Sequence, residues 1–335
     1  MSNTETADTA TPSIATGVVT HNKRLCREHY RLTITRVNMD LARPGQFVHL
    51  CPFCPAAHDR EYVPPNSASM RGGDWPRGTS WSPVPLLRRA FSIAGLRDDR
   101  FGAHEIDVVY RVVGTATRWM ESLRVGDAVS VMGPLGNAFG ISPSKRHAWM
   151  VCGGVGLPPM LWLAGALRDA GRKAILFAGA RSRDLLALEI VEGVAIGADG
   201  RKGSLCVAEL ATCDTPVVIA TDDGSLGFRG FVPEAFATYF DYSDVAADDL
   251  VVYTCGPEAM MEGVARFCME QSIECYACVE REMACGTGTC QSCVVPVCDV
   301  SAVDGWRYAL CCKEGPVFDV RRVIWSPDRI AAATH

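Results

Sequence analysis

The sequence predicts an antiparallel β-barrel or sandwich, then a parallel α/β domain, then a short cysteine-rich domain. Three observations carry this expectation. Short alternating strands punctuated by Gly and Pro fill residues 14–142. Strands, a glycine turn and helices alternate over residues 143–269. Cysteines crowd into residues 270–325. A chain of 335 residues has room for two or three domains. Hydrophobic residues make up 48% and charged residues 21%, values of a globular rather than a disordered chain. With 33 basic and 38 acidic side chains the net charge is −5, which lacks the basic excess that a nucleic-acid partner demands.

Met1 to Ser13 is a polar, Thr- and Ala-rich tail. It has neither the basic nor the apolar region of a signal peptide, so a cytoplasmic protein with reduced thiols is expected. In the first domain Tyr30, Leu32 and Ile34 alternate with Arg31, Thr33 and Thr35. Glu105 to Val113 and Ala128 to Met132 are further β-rich runs. Pro44-Gly45, Gly126-Asp127 and Gly133-Pro134 read as breaks between strands. Residues 51–85 interrupt this rhythm with seven of the 19 prolines and with Phe53, Tyr62, Trp75 and Trp81. So long an irregular stretch reads as a surface insertion, or as a lid or subunit-contact loop.

The second domain opens on the apolar run Ala148 to Cys152, then Gly153-Gly-Val-Gly, then an apolar helix ending near Gly171. Ala148 to Leu167 carries no charge, but its glycines and prolines make it a poor membrane span. Ala174 to Gly179, Val217 to Ala220 and Leu250 to Cys255 are the following strands, and Pro257 to Cys268 is a helix. Strands alternating with helices imply a parallel sheet. Residues 326–335 form a second tail.

The strongest chemical signal lies in the third domain. Cys285, Cys290 and Cys293 have the spacing C-x4-C-x2-C of a plant-type [2Fe–2S] site. Two iron ions bridged by sulfide need four thiolates, and one tight loop can supply three. Gly286 and Gly288 let that loop wrap closely and aim backbone N–H groups at the sulfurs. Zinc is the weaker reading, although C-x2-C pairs occur at Cys51/Cys54, Cys275/Cys278 and Cys290/Cys293. Spacing alone leaves the fourth ligand open among Cys298, Cys311 and Cys312. Adjacent residues point in different directions, so only one of Cys311 and Cys312 is expected to bind iron. Cys26, Cys206, Cys213 and Cys268 read as small core residues.

Gly153, Gly154 and Gly156 stand between a strand and a helix, where backbone can approach a dinucleotide pyrophosphate. Cys255-Gly256-Pro257 ends a later strand of the same sheet, so both segments are expected to line one cleft. In the first domain Arg88-Arg89-Ala90-Phe91-Ser92 offers an Arg for a diphosphate and a Ser for a flavin ring, or else is a solvated basic turn. A nicotinamide delivers electrons in pairs and a cluster takes them singly. A flavin exchanges both ways, so this set of modules asks for one.

Taken together the motifs resemble the electron-transfer subunits of class 1B dihydroorotate dehydrogenases, within the ferredoxin-reductase family. The resemblance covers residues 14–325. It rests on Leu86-Leu-Arg-Arg-Ala-Phe-Ser-Ile, Val109-Tyr-Arg-Val-Val-Gly-Thr, Gly133-Pro-Leu-Gly-Asn-Ala-Phe, Gly153-Gly-Val-Gly-Leu-Pro-Pro, Thr221-Asp-Asp-Gly-Ser, Thr254-Cys-Gly-Pro, Met283-Ala-Cys-Gly-Thr-Gly-Thr-Cys and Cys312-Lys-Glu-Gly-Pro-Val-Phe. It implies a ferredoxin-reductase-like flavin barrel, a parallel-sheet nucleotide-binding domain and a small C-terminal [2Fe–2S] domain. FAD would be held by Arg89, Ala90, Phe91, Ser92, Val109, Tyr110, Arg111, Gly114 and Thr115. NAD(H) would lie between the Gly153–Gly156 turn and Cys255-Gly256-Pro257. The resemblance also makes Cys312 the fourth cluster ligand, beside Cys285, Cys290 and Cys293.

The implied partner is an FMN-containing dihydroorotate dehydrogenase catalytic subunit, two of each subunit forming a heterotetramer. The activity implied is NAD-dependent, in pyrimidine biosynthesis, with no orotate bound by this chain. Two departures stand out: the family's proline after the FAD arginine is Ala90 here, and the 51–85 insertion precedes the FAD motif. Two rival readings use the same modules. One is a flavin and iron–sulfur NAD(P)H reductase subunit of a ferredoxin:NADP⁺ oxidoreductase, sulfhydrogenase or sulfite reductase, for which Arg181 and Arg183 leave a 2′-phosphate open. The other is an iron–sulfur redox sensor that gates a partner.

Overall fold

The computed structural model describes residues 12–52, 87–99 and 101–325. The greater part of the 51–85 insertion, Cys54 within it, Leu86 and both chain ends lie outside the described residues. The first unit comprises β1 (Ser13–Arg24), β2 (His29–Val37), β3 (Phe47–Pro52), β4 (Arg89–Asp98), β5 (His104–Arg111), the helix α1 (Thr115–Ser122) and β6 (Ala128–Leu135). Its six strands close into an antiparallel barrel in the order β1-β2-β5-β4-β3-β6, so the choice between barrel and sandwich resolves to a barrel. Val19, Leu32, Ile34, Val48, Leu50, Ile93, Ile106, Val108 and Val129 fill the interior.

Two details depart from the sequence reading. Thr33 and Thr35 are buried like the apolar residues they alternate with. Each stays hydrogen-bonded, Thr33 to Asp107 at 2.7 Å and Thr35 to Asp99 at 2.8 Å, which removes the cost of burying a hydroxyl. Gly133-Pro134 does not end a strand. It lies inside β6, where the register with β3 shifts between Phe47 and His49, and such a bulge is where a sheet tolerates a residue without an N–H.

The second unit continues with β7 (His147–Gly153), α2 (Leu157–Asp169), β8 (Lys173–Ala180), α3 (Ala208–Ala211), β9 (Val217–Thr221), β10 (Phe228–Arg229), α4 (Val232–Tyr242), β11 (Leu250–Cys255) and α5 (Glu258–Glu270). Beyond it come β12 (Glu274–Cys278), β13 (Val294–Cys298), β14 (Trp306–Leu310), α6 (Cys311–Glu314) and β15 (Val317–Asp319). The large sheet has the order β10-β9-β8-β7-β11-β12-β15, parallel except for its last pair. It therefore takes two strands, β12 and β15, from the segment that also carries the cysteine loop. The rest of that segment is the β13–β14 hairpin. No helix among the described residues is long and apolar enough to cross a membrane. The uncharged run from Ala148 is instead β7, a glycine turn and α2.

The units are fastened together at named points. Arg31 of β2 makes a two-pronged ion pair with Glu209 of α3, one contact being 2.7 Å. Trp162 of α2 packs against the barrel core. Just past β6, Asn137 grips the chain that follows α6. Its Nδ2 donates to the carbonyls of Glu314 (3.0 Å) and Val317 (2.8 Å), and its Oδ1 accepts the N–H of Val317 (2.9 Å). Its own N–H donates to Gly315 (2.7 Å). Of the cysteines expected in the core, Cys206 and Cys268 are fully buried, Cys26 is half-buried and packs against the edge of the core, and Cys213 is only half-buried. Cys26 sits in a turn with its sulfur 3.3 Å from His29 Nδ1.

Replacing Asn137 by Ala deletes three side-chain hydrogen bonds, each with a net worth near 1 kcal/mol, so the expected loss is roughly 2–4 kcal/mol. Asn137→Asp retains the acceptor and loses both donors, and should fall between. Urea unfolding followed by tryptophan fluorescence checks the order; equal stability of all three proteins contradicts it.

Candidate functional site

The strand order of the large sheet reverses between β7 and β11, the place where parallel sheets bind ligands beyond their carboxyl ends. The glycine turn follows β7, and Cys255-Gly256-Pro257 ends and follows β11. The two are in tight contact. A methyl group on Gly156 would lie 2.0 Å from the carbonyl oxygen of Cys255. One on Gly256 (φ +151°) would lie 2.9 Å from the carbonyl oxygen of Gly153. Gly156 and Gly256 are therefore glycine because two strand ends touch there. Gly154, with φ +53° and open space around it, is the exposed member of the turn. Pro158 and Pro159 in the first turn of α2 contribute no N–H to that helix end.

A cavity of about 380 Å³ opens where the barrel, this turn and the cysteine-rich segment meet. Ala90, Phe91 and Ser92 of β4 and Val109, Tyr110 and Arg111 of β5 form its barrel wall. Val155, Pro158 and Cys255 form the wall on the side of the large sheet. Val279, Glu280, Arg281, Met283 and Pro316 close it from the cysteine-rich side. Six residues expected to meet a flavin thus share one wall. Arg89, Gly114 and Thr115 do not line it. Arg89 is exposed at the start of β4, with its guanidinium on the carbonyls of Leu87 and Arg88. Arg88 turns the other way, to the Ser130 hydroxyl at 2.7 Å. Gly114 caps α1, and its N–H donates to Thr117 Oγ1 at 3.0 Å. Val113 and Thr117 from this same turn do line the cavity. Arg111 is already paired with Glu28 at 2.6 Å, and its hydrogen bonds hold the Glu28 carboxyl below the usual range.

A second cavity of about 400 Å³ is bounded by Gly256, Pro257, Glu258, Met261, Glu280, Arg281 and Glu282. Arg281 borders both cavities. It bonds to Glu258 at 3.2 Å and to the Val294 carbonyl at 3.3 Å, so it ties α5 to β13. Neither Arg281 nor Asn137 stood out in the sequence. Arg281 lies in the charged run Glu280-Arg-Glu, and Asn137 within Gly133-Pro-Leu-Gly-Asn, and only the fold gives either a partner.

In the cysteine loop, Cys285 Sγ accepts the N–H groups of Thr287 and Cys290, both at 3.4 Å. These donors, that of Cys290 foremost, pull the Cys285 thiol down to about 6. A hydrogen bond from Ser292, 3.2 Å away, lowers that of Cys290 as well. Cys293 Sγ accepts the N–H of Cys312 at 3.4 Å. Burial, with the neighbouring Cys293, pushes the Cys312 thiol up to about 12. Gly286 (φ +72°) and Gly288 (φ +89°) take the left-handed conformations that this wrapping needs. Cys311 faces away, its buried thiol donating to the Val279 carbonyl at 3.2 Å. Cys298 is exposed at the end of β13.

Among the described residues no three Cys, His, Asp or Glu side chains are gathered tightly enough for a single metal ion. Cys275 and Cys278 lie three apart on β12 and pack into different cores, Cys275 beside Cys268 and Cys278 beside Cys255, so they cannot share a zinc ion. The loop itself, with N–H groups aimed at sulfur and glycines at its bends, fits the thiolates of an iron–sulfur cluster.

Residues 280–324 match the family model described as the iron–sulfur cluster binding domain of dihydroorotate dehydrogenase B. Residues 150–266 match the oxidoreductase NAD-binding domain. The chain is 30% identical over 285 residues to the electron transfer subunit of dihydroorotate dehydrogenase B (NAD(+)) of Desulforamulus reducens, covering 85% of this chain and 88% of that one. It is 34% identical over 235 residues to the same subunit of Listeria monocytogenes, covering 70% and 79%. Among solved structures, an NADH-dependent reduced ferredoxin–NADP oxidoreductase superposes with a TM-score of 0.67 at 22% identity, over 96% of this chain and 93% of that one. At that identity the likeness speaks for the fold.

In cluster-free protein the Cys285 thiolate is stabilised by the folded loop. Its alkylation by iodoacetamide should be half-maximal near pH 6, level off at higher pH and fall away below, as the sulfur takes up a proton. Cys312 should stay unreactive near neutral pH. Alkylation at stepped pH, read by mass spectrometry, checks both; an ordinary thiol midpoint at Cys285 contradicts the first.

Proposed function

The chain belongs to the family of dihydroorotate dehydrogenase B electron-transfer subunits, and we propose that it carries electrons from a catalytic partner subunit, where dihydroorotate becomes orotate, to NAD⁺. The observation that carries this reading is the single cavity walled by the barrel strands, the end of the switch-point strand and the chain leading to the cysteine loop. A redox group held there is next to both a nicotinamide site and a cluster site.

The residues divide by module. Residues 14–142 form the FAD domain, in which Ala90 to Ser92 and Val109 to Arg111, which line the cavity, would hold the flavin together with Arg89, Gly114 and Thr115, which lie outside it. Residues 143–269 form the NAD(H) domain, with Gly153, Gly154 and Gly156 facing Cys255, Gly256 and Pro257. Residues 270–325 form the cluster domain, with Cys285, Cys290, Cys293 and Cys312 as thiolate ligands. When bound, the flavin supplies exchange between paired and single electrons, and the [2Fe–2S] cluster supplies single-electron storage.

The chain's own part is to bind and to exclude. Phe91 and Tyr110 meet edge to face with ring centroids 6.4 Å apart, and Tyr30 stacks on Tyr110 at 5.7 Å, which stiffens the barrel wall. Burial pushes the Tyr110 hydroxyl well above its usual range, so it stays protonated, and it donates to Asn22 at 3.2 Å. On the cysteine side of the cavity Val279, Met283 and Pro316 supply apolar surface beside the charged Glu280 and Arg281. The partner in this reading is an FMN-bearing catalytic subunit, two copies joining two of this chain, in pyrimidine biosynthesis.

The test is reconstitution with the catalytic subunit. Dihydroorotate should drive NAD⁺ reduction, and Cys290→Ser should abolish it while NADH oxidation by a small artificial acceptor persists. Intact coupled turnover in that variant overturns the scheme.

A further inference from the structure

One buried polar side chain has no role in the site as described. Along β3, Val48 and Leu50 enter the barrel core, while Phe47 and His49 face the other way. Phe47 lines the cavity between the modules. His49 stands opposite Ala90 in the strand ladder, and Ala90 lines the same cavity. The His49 ring is wholly buried at 0% exposure, yet neither of its nitrogens has a hydrogen-bond partner among the described residues. An orphaned buried imidazole N–H is costly to retain.

The ring edge points at the cysteine loop. A methyl group on Gly286 would sit 2.9 Å from both Cε1 and Nε2 of His49, and 3.1 Å from Leu135 Cδ1. Gly286 directly follows Cys285, so the imidazole edge meets the loop at a residue without a side chain, next to the first cysteine. Burial, reinforced by the charges of Arg88 and Arg89, pulls the ring's pKa down to about 4, so it is neutral and keeps one N–H.

We propose that His49 is a positioning residue for the iron–sulfur site, its ring N–H donating a hydrogen bond to sulfur at the Cys285 end of the cluster. This rests on the cluster reading above. The reduced cluster carries more negative charge than the oxidised one, so a donor at its sulfur favours reduction.

The experiment uses the full-length holoprotein, labelled with ¹⁵N-histidine, reduced anaerobically and studied by pulsed electron paramagnetic resonance. The expected result is a weak ¹⁵N coupling and an exchangeable-proton coupling to the cluster, both lost in His49→Phe. In redox titration His49→Phe should reduce about tenfold less readily, a downward shift of about 59 mV for one electron. His49→Gln, which keeps an N–H, should recover part of that shift. Absence of any cluster signal in the wild type overturns the cluster reading itself. A cluster signal without histidine coupling, or an unmoved potential in His49→Phe, overturns only the role of His49. Should His49→Phe fail to fold, the wild-type coupling alone decides.

Discussion

The grip of Asn137 on Gly315 to Val317 is the contact on which the arrangement of modules turns. A side-chain amide has two donors and one acceptor group, and here one donor reaches the carbonyl before the Gly315-Pro316 pair while the same amide nitrogen and its oxygen hold the residue after it. Gln46 braces the preceding residue by donating to the Gly136 carbonyl at 2.8 Å. The gripped segment leads on one side to Cys312 and on the other into β15, the edge strand of the large sheet. One asparagine at the barrel's end thus sets where the cysteine loop and the last sheet strand lie relative to the flavin wall. Gly136 beside it has no room for a side chain, since a methyl there would meet Pro316 at 2.6 Å.

The same economy of small residues builds the nucleotide end. The turn after β7 and the end of β11 approach so closely that side chains are excluded at Gly156 and Gly256. In the sequence the glycines of this turn read as a phosphate cradle; in the fold Gly153 and Gly156 are buried, and only Gly154 opens outward. The barrel supplies the more polar counterpart. Arg111, which a sequence reading gives to the flavin, is half spent on Glu28, and Arg89 lies outside the cavity.

Features set by local chemistry were legible in the sequence. Strand alternation marked the barrel, the strand and helix rhythm marked the parallel sheet, and the C-x4-C-x2-C loop marked the cysteine site. What was not legible depends on contacts distant along the chain. Membership of β12 and β15 in the large sheet is set by pairing with β11 and by the Asn137 grip, neither of which has a local signature. Thr33 and Thr35 looked solvent-facing because their partners, Asp107 and Asp99, are 74 and 64 residues away. Arg281 looked like one charge in a polar run because Glu258 and the Val294 carbonyl meet it only after folding. Cys213 looked like a core residue because composition says nothing about which turns stay at the surface.

The cysteine loop has an outside and an inside. Cys290 is exposed and Cys285 half-exposed, whereas Cys293 and Cys312 are buried. The inner side continues from Cys312 by four residues to Pro316, which lines the central cavity. The exposed edge is therefore the side of the loop open to another protein, and the buried edge is the side that adjoins the cavity between the modules. The lowered thiols lie on the outer side and the raised Cys312 thiol on the inner side. Backbone N–H groups at Cys285, rather than nearby positive side chains, do the lowering.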